Sequence, residues 1–161
     1  TETGNASFTG FGVKKILQPT KSLPGYNTVS DADVVIMRYA HVLLMIAEAE
    51  NEVNGPTEKA LKAINAVRTR SHQPAIDGTG LTQAELRERI RNEWRVETCF
   101  EGLRYFQLKR WKQLQQVVDG AVDPAYPSYI KVVKPAFEFF PLPQGEIDKA
   151  HGVLVQDPNY Q

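Results

Sequence analysis

The sequence has little of what metal, redox and disulfide chemistry require. It holds one cysteine, Cys99, and three histidines among 161 residues. A single cysteine excludes an intrachain disulfide, and no zinc-type Cys/His spacing occurs. Cys99 lies between Thr98 and Phe100, a setting that reads as a small buried hydrophobe rather than a reactive thiol. An excess of one charge is lacking too. Nineteen Lys and Arg balance nineteen Asp and Glu, so bulk electrostatics recruit neither nucleic acid nor an anionic membrane surface. No apolar run reaches the ~18 residues of a membrane-spanning helix. The longest, Val34 to Ala49, is interrupted by Arg38, His41 and Glu48 and reads as a core helix. No secretory leader is visible, and the chain opens at Thr1 rather than Met, so an export signal is expected upstream. Nucleophile elbows and phosphate loops are absent. The reading assigns no catalytic residue, no metal and no cofactor.

What is present is helical. Forty-two per cent hydrophobic residues suffice for a core, and residues 1–161 read as a single domain. Residues 1–30 look extended, with strand-like Phe8 to Leu17 and a loop carrying Pro19, Pro24 and Gly25. A helix is expected from about Asp33 to Asn54, capped by Asp31 or Asp33, with Val35, Tyr39, Val42, Ile46, Ala49 and Val53 on its core face. Asn54-Gly55 ends it, and Pro56 is expected to open a second helix at its first position. That helix has Ala60, Leu61, Ile64 and Val67 as its stripe and fades near His72. Thr82 and Glu85 form a capping box for a third helix from Gln83 to about Phe100, with Leu86, Ile90, Trp94 and Thr98 inward. After Gly102 a fourth helix carries Leu103 to Trp111 and is extended to Val118. The remainder reads as irregular, with a short strand at Tyr129 to Lys134, a short helix from Gln144 to Ala150 and a packed tail ending at Tyr160. The fold class is mainly α: paired helices, an extended N-terminal segment and an irregular C-terminal region.

Glu93, Glu97 and Glu101 recur four apart on one helix face. Exposed, such like charges repel by a few tenths of a kcal/mol per pair; buried, they need partners. Arg68 and Arg70 end the second helix and Arg104 follows the third. These six residues read as a structural ion lattice, because the planar guanidinium can bond carboxylates bidentately. Glycosidase chemistry needs carboxylates facing each other across a cleft, which stacking on one helix does not supply. No histidine has a Glu three residues before it, as di-iron bundles require. His41 reads as a structural histidine.

Four ordered segments resemble the SusD/RagB family. They are Ile36-Met37-Arg38-Tyr39-Ala40-His41-Val42-Leu43-Leu44-Met45-Ile46-Ala47-Glu48-Ala49; Ala63-Ile64-Asn65-Ala66-Val67-Arg68-Thr69-Arg70; Ile90-Arg91-Asn92-Glu93-Trp94-Arg95 running on through Glu97, Glu101-Gly102-Leu103-Arg104-Tyr105-Phe106 to Trp111; and Phe140-Pro141-Leu142-Pro143-Gln144-Gly145-Glu146-Ile147 with Gln156-Asp157-Pro158-Asn159-Tyr160. His41 stands where the family usually has Glu, Trp94 where a second Arg is common, and Gln107 where Asp is usual. The resemblance implies a tetratricopeptide-like helical scaffold and the C-terminal region of a longer, lipid-anchored protein of the bacterial outer membrane. It implies capture of a glycan or peptide nutrient and delivery to a SusC-like TonB-dependent transporter. The lipid anchor would lie outside residues 1–161.

Sugars are bound by stacking on aromatic rings with a few fixed polar groups. Tyr126 and Tyr129, flanking Pro127, are the first candidates, and Tyr26 the next. The competing reading is a helical-repeat scaffold that binds a protein partner and no glycan.

Overall fold

The computed structural model describes residues 13, 15, 33–123, 126–134 and 139–160, with backbone alone at 123 and 126–130. The mainly helical class expected from periodicity is the class observed. The sequence reads as one domain; its contacts gather into two compact units, Thr1–Arg104 and Tyr105–Gln161.

In the first unit, helix α1 (Tyr39–Asn54) packs on α2 (Glu58–Arg70) and α3 (Gln83–Glu97). Leu44, Ile64, Val67, Leu86 and Ile90 are its largest fully buried apolar side chains, joined in the core by Ala40, Ala47, Ala60, Ala63 and Trp94. Each fully buried Leu or Ile stabilises by roughly 1.5–3 kcal/mol. The alanines let α1 and α2 approach closely. The α1–α2 hairpin closes at Gly55, whose φ of 79° suits glycine.

Several boundaries differ from the sequence reading. Helix α1 starts at Tyr39 rather than Asp33, and Asp31 lies outside the described residues. Its N-cap is Arg38, in extended conformation, with no side-chain cap; the Arg38 guanidinium is engaged elsewhere, as shown below. The buried face of α1 is Ala40, His41, Leu44, Ala47 and Asn51, not the stripe through Tyr39, Ile46 and Val53, whose side chains are exposed. Helix α2 begins at Glu58 with Thr57 as N-cap, accepting from Ala60 N at 3.2 Å; Pro56 precedes the cap. A hydroxyl cap satisfies an otherwise orphaned N–H, which Pro56 could not do. The Thr82–Glu85 capping box forms as read, with Thr82 N donating to Glu85 Oε2 at 2.8 Å. Helix α3 stops at Glu97 because Phe100 and Gly102 take left-handed φ of 62° and 75°. Thr98 is buried there while Cys99 is exposed, which corrects the buried-thiol expectation.

Loop 73–81 is tied back to α2. Asn65 Nδ2 donates to Ile76 O at 3.0 Å and Ile76 N donates to Asn65 Oδ1 at 2.7 Å. At the far end of α1, Asn51 Nδ2 donates to Gln83 O at 3.1 Å and Gln83 Nε2 to Asn51 O at 2.6 Å.

The second unit holds most of α4 (Arg104–Arg110), then α5 (Leu114–Val118), a hairpin, α6 (Gln144–Lys149) and a 3-10 turn at Pro158–Tyr160. The fourth helix does not run on to Val118. Lys112, at φ 55°, breaks it, and Gln113 N closes the end on Leu108 O at 2.8 Å. Strand β1 (Val122–Asp123) pairs antiparallel with β2 (Tyr126–Ile130), with Val122 opposite Ile130 and a bulge beside Asp123. The strand therefore lies a few residues before the one expected at Tyr129 to Lys134. The Gln156 side chain bonds the Leu142 backbone twice, accepting from N at 3.0 Å and donating to O at 2.9 Å. Tyr160 Oη donates to Phe139 O at 2.7 Å. The expected strand at Phe8 to Leu17 lies outside the described residues except Val13 and Lys15.

Candidate functional site

The richest chemistry lies where the C-terminal turn of α3 meets the start of α1. The four-residue spacing puts Glu93 and Glu97 on one inward face of α3, whereas Glu101, expected on the same helix, lies in the turn after it and is brought beside Glu97 by that turn. Their side chains are 6%, 7% and 6% exposed. Arg68 Nη1 donates to Glu93 Oε2 at 2.7 Å, and its Nε reaches Pro74 O at 2.9 Å. Arg70 Nη2 donates to Glu97 Oε1 at 2.5 Å. Arg68 and Arg70 of α2 thus meet two of the three carboxylates. Arg104 is half-buried; burial first, and the charge of Arg95 second, lower its pKa.

Three donors that the sequence reading did not place in the lattice complete it. Arg38 pairs with Glu97 and also bonds Glu101, through Nε at 3.0 Å and Nη2 at 2.7 Å. Its Nη2 also donates to Glu97 O at 2.7 Å. Lys15 pairs with Glu101 and donates to Glu97 O at 2.6 Å and Cys99 O at 3.0 Å. Two cations therefore sit on the carbonyl end of α3, where the helix dipole favours positive charge. Buried His41 has Nε2 2.6 Å from Glu101 Oε2. An ionised carboxylate only accepts, so that ring nitrogen carries the proton. The ring lies 5.9 Å from Trp94, whose Nε1 donates to Glu48 at 3.0 Å. Arg38 is the third residue of the first family-like segment and a charge within the apolar run from Val34 to Ala49. Its partners lie 59 and 63 residues away, beyond the reach of helix-face arithmetic.

Burial alone would raise the pKa of Glu101, but hydrogen bonds from Arg38, Lys15 and His41 outweigh it and hold the group at about 2. Burial likewise opposes the charge on Arg38, and Glu101 and Glu97 raise its pKa regardless. A carboxylate locked as an anion by several donors has no proton to give near neutral pH. The arrangement joins α1, α2, α3 and the turn after α3. No group of three His, Cys, Asp or Glu able to hold a metal occurs among the described residues, and none of their helices is long and apolar enough to cross a membrane.

Tyr126 and Tyr129 fall on strand β2, their side chains outside the description. Tyr26 lies outside the described residues altogether.

The architecture and its sequence landmarks have known counterparts. The chain matches the SusD family model, SusD_RagB, over residues 1–160. The chain belongs to the SusD family. SusD-like protein P2 of Formosa agariphila is 31% identical over 143 residues, covering 81% of this chain and 26% of that protein. The crystal structure of a SusD-like protein from Bacteroides fragilis superposes with a TM-score of 0.68 at 29% identity, covering 80% of this chain and 26% of that one. Surface glycan-binding protein A from Bacteroides thetaiotaomicron gives a TM-score of 0.64 at 29% identity, covering 79% and 25%. The paired helices are thus those of the tetratricopeptide-like SusD scaffold. This chain spans about a quarter of the length of these relatives. Here His41 serves as a hydrogen-bond donor to Glu101.

Proposed function

We propose that the chain is the C-terminal scaffold region of a lipid-anchored receptor that captures glycan nutrients at the bacterial outer membrane and passes them to a SusC-like TonB-dependent transporter. The observation that carries this reading is the family match over residues 1–160, with a surface glycan-binding protein among the superposable structures. The protein is a binding protein and not an enzyme in this reading: its buried carboxylates are consumed by cations. Residues 1–161 act as one piece of a longer chain, and ligand recognition uses aromatic rings, with Tyr126, Tyr129 and Tyr26 as the local candidates.

The test is calorimetric titration of the whole receptor with a panel of oligosaccharides and peptides, followed by affinity purification from its native membrane. Saturable oligosaccharide binding, weakened in Tyr126→Ala and Tyr129→Ala, and recovery of a TonB-dependent transporter are expected. Peptide binding without glycan binding would overturn the ligand assignment. A second reading, a scaffold that binds protein and no glycan, draws on the same carboxylates, which are paired with cations rather than turned to a ligand. Recovery of a protein partner with no oligosaccharide response would favour it.

A further inference from the structure

Around helix α4 the second unit brings open aromatic rings and cations together. Between Tyr105 and Val118 the chain carries Lys109, Arg110 and Lys112 and no Asp or Glu, a local excess in a chain whose charges balance. Lys109 Nζ lies 5.4 Å from the centroid of the Tyr105 ring and 5.5 Å from that of Phe140, and Arg110 lies 5.4 Å from that of Trp111. A ring attracts a cation through its quadrupole and bears no charge of its own, so these contacts leave the ammonium and the guanidinium positive. Phe106 meets Tyr105 edge-to-face, at 5.5 Å and 76°, yet stays 62% exposed, and Phe140 is 71% exposed. Positions three and four apart are neighbours on a helix surface, which sets Lys109 and Arg110 one turn from Phe106. Phe140, 6.1 Å from Tyr105, is fixed by the backbone on either side of it. Phe139 O accepts from Tyr160 Oη, and Gln156 bonds the Leu142 backbone twice.

We propose that Phe106, Lys109, Arg110 and Phe140 form a contact site for an acidic saccharide, one bearing a uronate carboxylate or a sulfate ester. This rests on the reading of the protein as a glycan receptor and narrows its ligand class. The apolar face of a pyranose stacks on an exposed ring, here Phe106 or Phe140. The anionic substituent meets the Lys109 ammonium and the Arg110 guanidinium, whose planar fork can bond two oxygens of one anion at once. Neither kind of group selects such a ligand by itself. Rings stack neutral and acidic sugars alike, and cations attract an anion of any shape. Together, one helical turn apart, they select an anion carried on a sugar ring. Tyr126, Tyr129 and Tyr26 offer stacking; this site adds charge selection.

The test is titration calorimetry of the whole receptor with size-matched oligosaccharides, one a uronate, one sulfated and one neutral. At low ionic strength an anionic sugar should bind about tenfold more tightly than the neutral one, the difference that a charge-assisted hydrogen bond supplies. Added salt should erode that difference, and the tighter of the two anionic sugars identifies the acidic group. Lys109→Met and Arg110→Gln should each weaken the anionic sugar by about the same factor and leave the neutral one unchanged. Phe106→Ala should weaken the anionic sugar too, and Lys62→Met, at an exposed cation of α2, should change nothing. Binding of an acidic peptide but no acidic sugar would overturn the inference. Hydroxyl-radical footprinting of the unmodified receptor decides the matter if a variant does not fold. The anionic sugar should shield Phe106 and Phe140, and rings already shielded in the free receptor would sink the site. A neutral sugar bound as tightly as the acidic ones removes this inference and leaves the receptor reading standing, whereas no response to any saccharide removes both.

Discussion

The two units of this chain are held together differently. The first, Thr1–Arg104, buries leucine, isoleucine, valine and alanine side chains and, beside them, a row of paired carboxylates. In the second, Tyr105–Gln161, only Gln107 and Leu108 are buried among the described residues, and Phe139, Phe140, Val153 and Val155 lie open. Its order comes from side chains that mimic backbone, such as Gln156 on Leu142 and Tyr160 on Phe139. Lys109 lies over the Tyr105 and Phe140 rings at 5.4 and 5.5 Å, a contact that works at a wet surface. Long helices bury area per residue efficiently; short ones do not, and hydrogen bonds worth about 1 kcal/mol each must then set the conformation.

The contrast can be broken most forcefully at Arg38. Arg38→Ala leaves Glu97 and Glu101 buried with fewer donors. Removing one partner of a buried pair costs about 3–5 kcal/mol, so chemical denaturation followed by tryptophan fluorescence should show a loss of that order. Acid is the next lever. The folded pKa of Glu101, at about 2, lies below its unfolded value of about 4.3. Its contribution is complete above the unfolded value and disappears as pH falls toward 2. It is on the order of 3 kcal/mol at neutral pH. Denaturation midpoints across that acid range should fall steeply in the native protein and less steeply in Glu101→Gln.

The second unit should respond more gently. Gln156→Ala removes two hydrogen bonds to Leu142, and a loss of about 2 kcal/mol is expected, seen as faster hydrogen exchange at the Leu142 amide with exchange in α1 to α3 unchanged. The smallest effect sharpens the comparison from the other side. His72 holds φ 56° at the end of α2, where Gln73 N bonds Arg68 O at 2.9 Å. Glycine adopts that conformation without a Cβ penalty, so His72→Gly should raise stability by about 0.5 kcal/mol, measured as a small rise in melting temperature.

What depends on near neighbours is legible along the chain. The 3.6-residue periodicity marks three long helices, Thr82 and Glu85 cap one of them, and ordered motifs from Ile36 to Tyr160 identify the SusD family. These rest on contacts within four residues, or on the order of landmarks along the chain. The glutamate row at 93, 97 and 101 was legible as a set needing cations, because like charges at that spacing cannot be buried unpaired. Tertiary structure alone decided which cations came. Arg38 and Lys15 reach Glu101 across more than sixty residues, and nothing in local spacing specifies that approach. It also decided which side of α1 turned inward. Both sides are apolar by composition, and the choice fell to the one whose small Ala40 and Ala47 let α2 pack closely while His41 and Asn51 found polar partners. A periodic pattern reports that a face is apolar; only the neighbouring helices determine which face they cover.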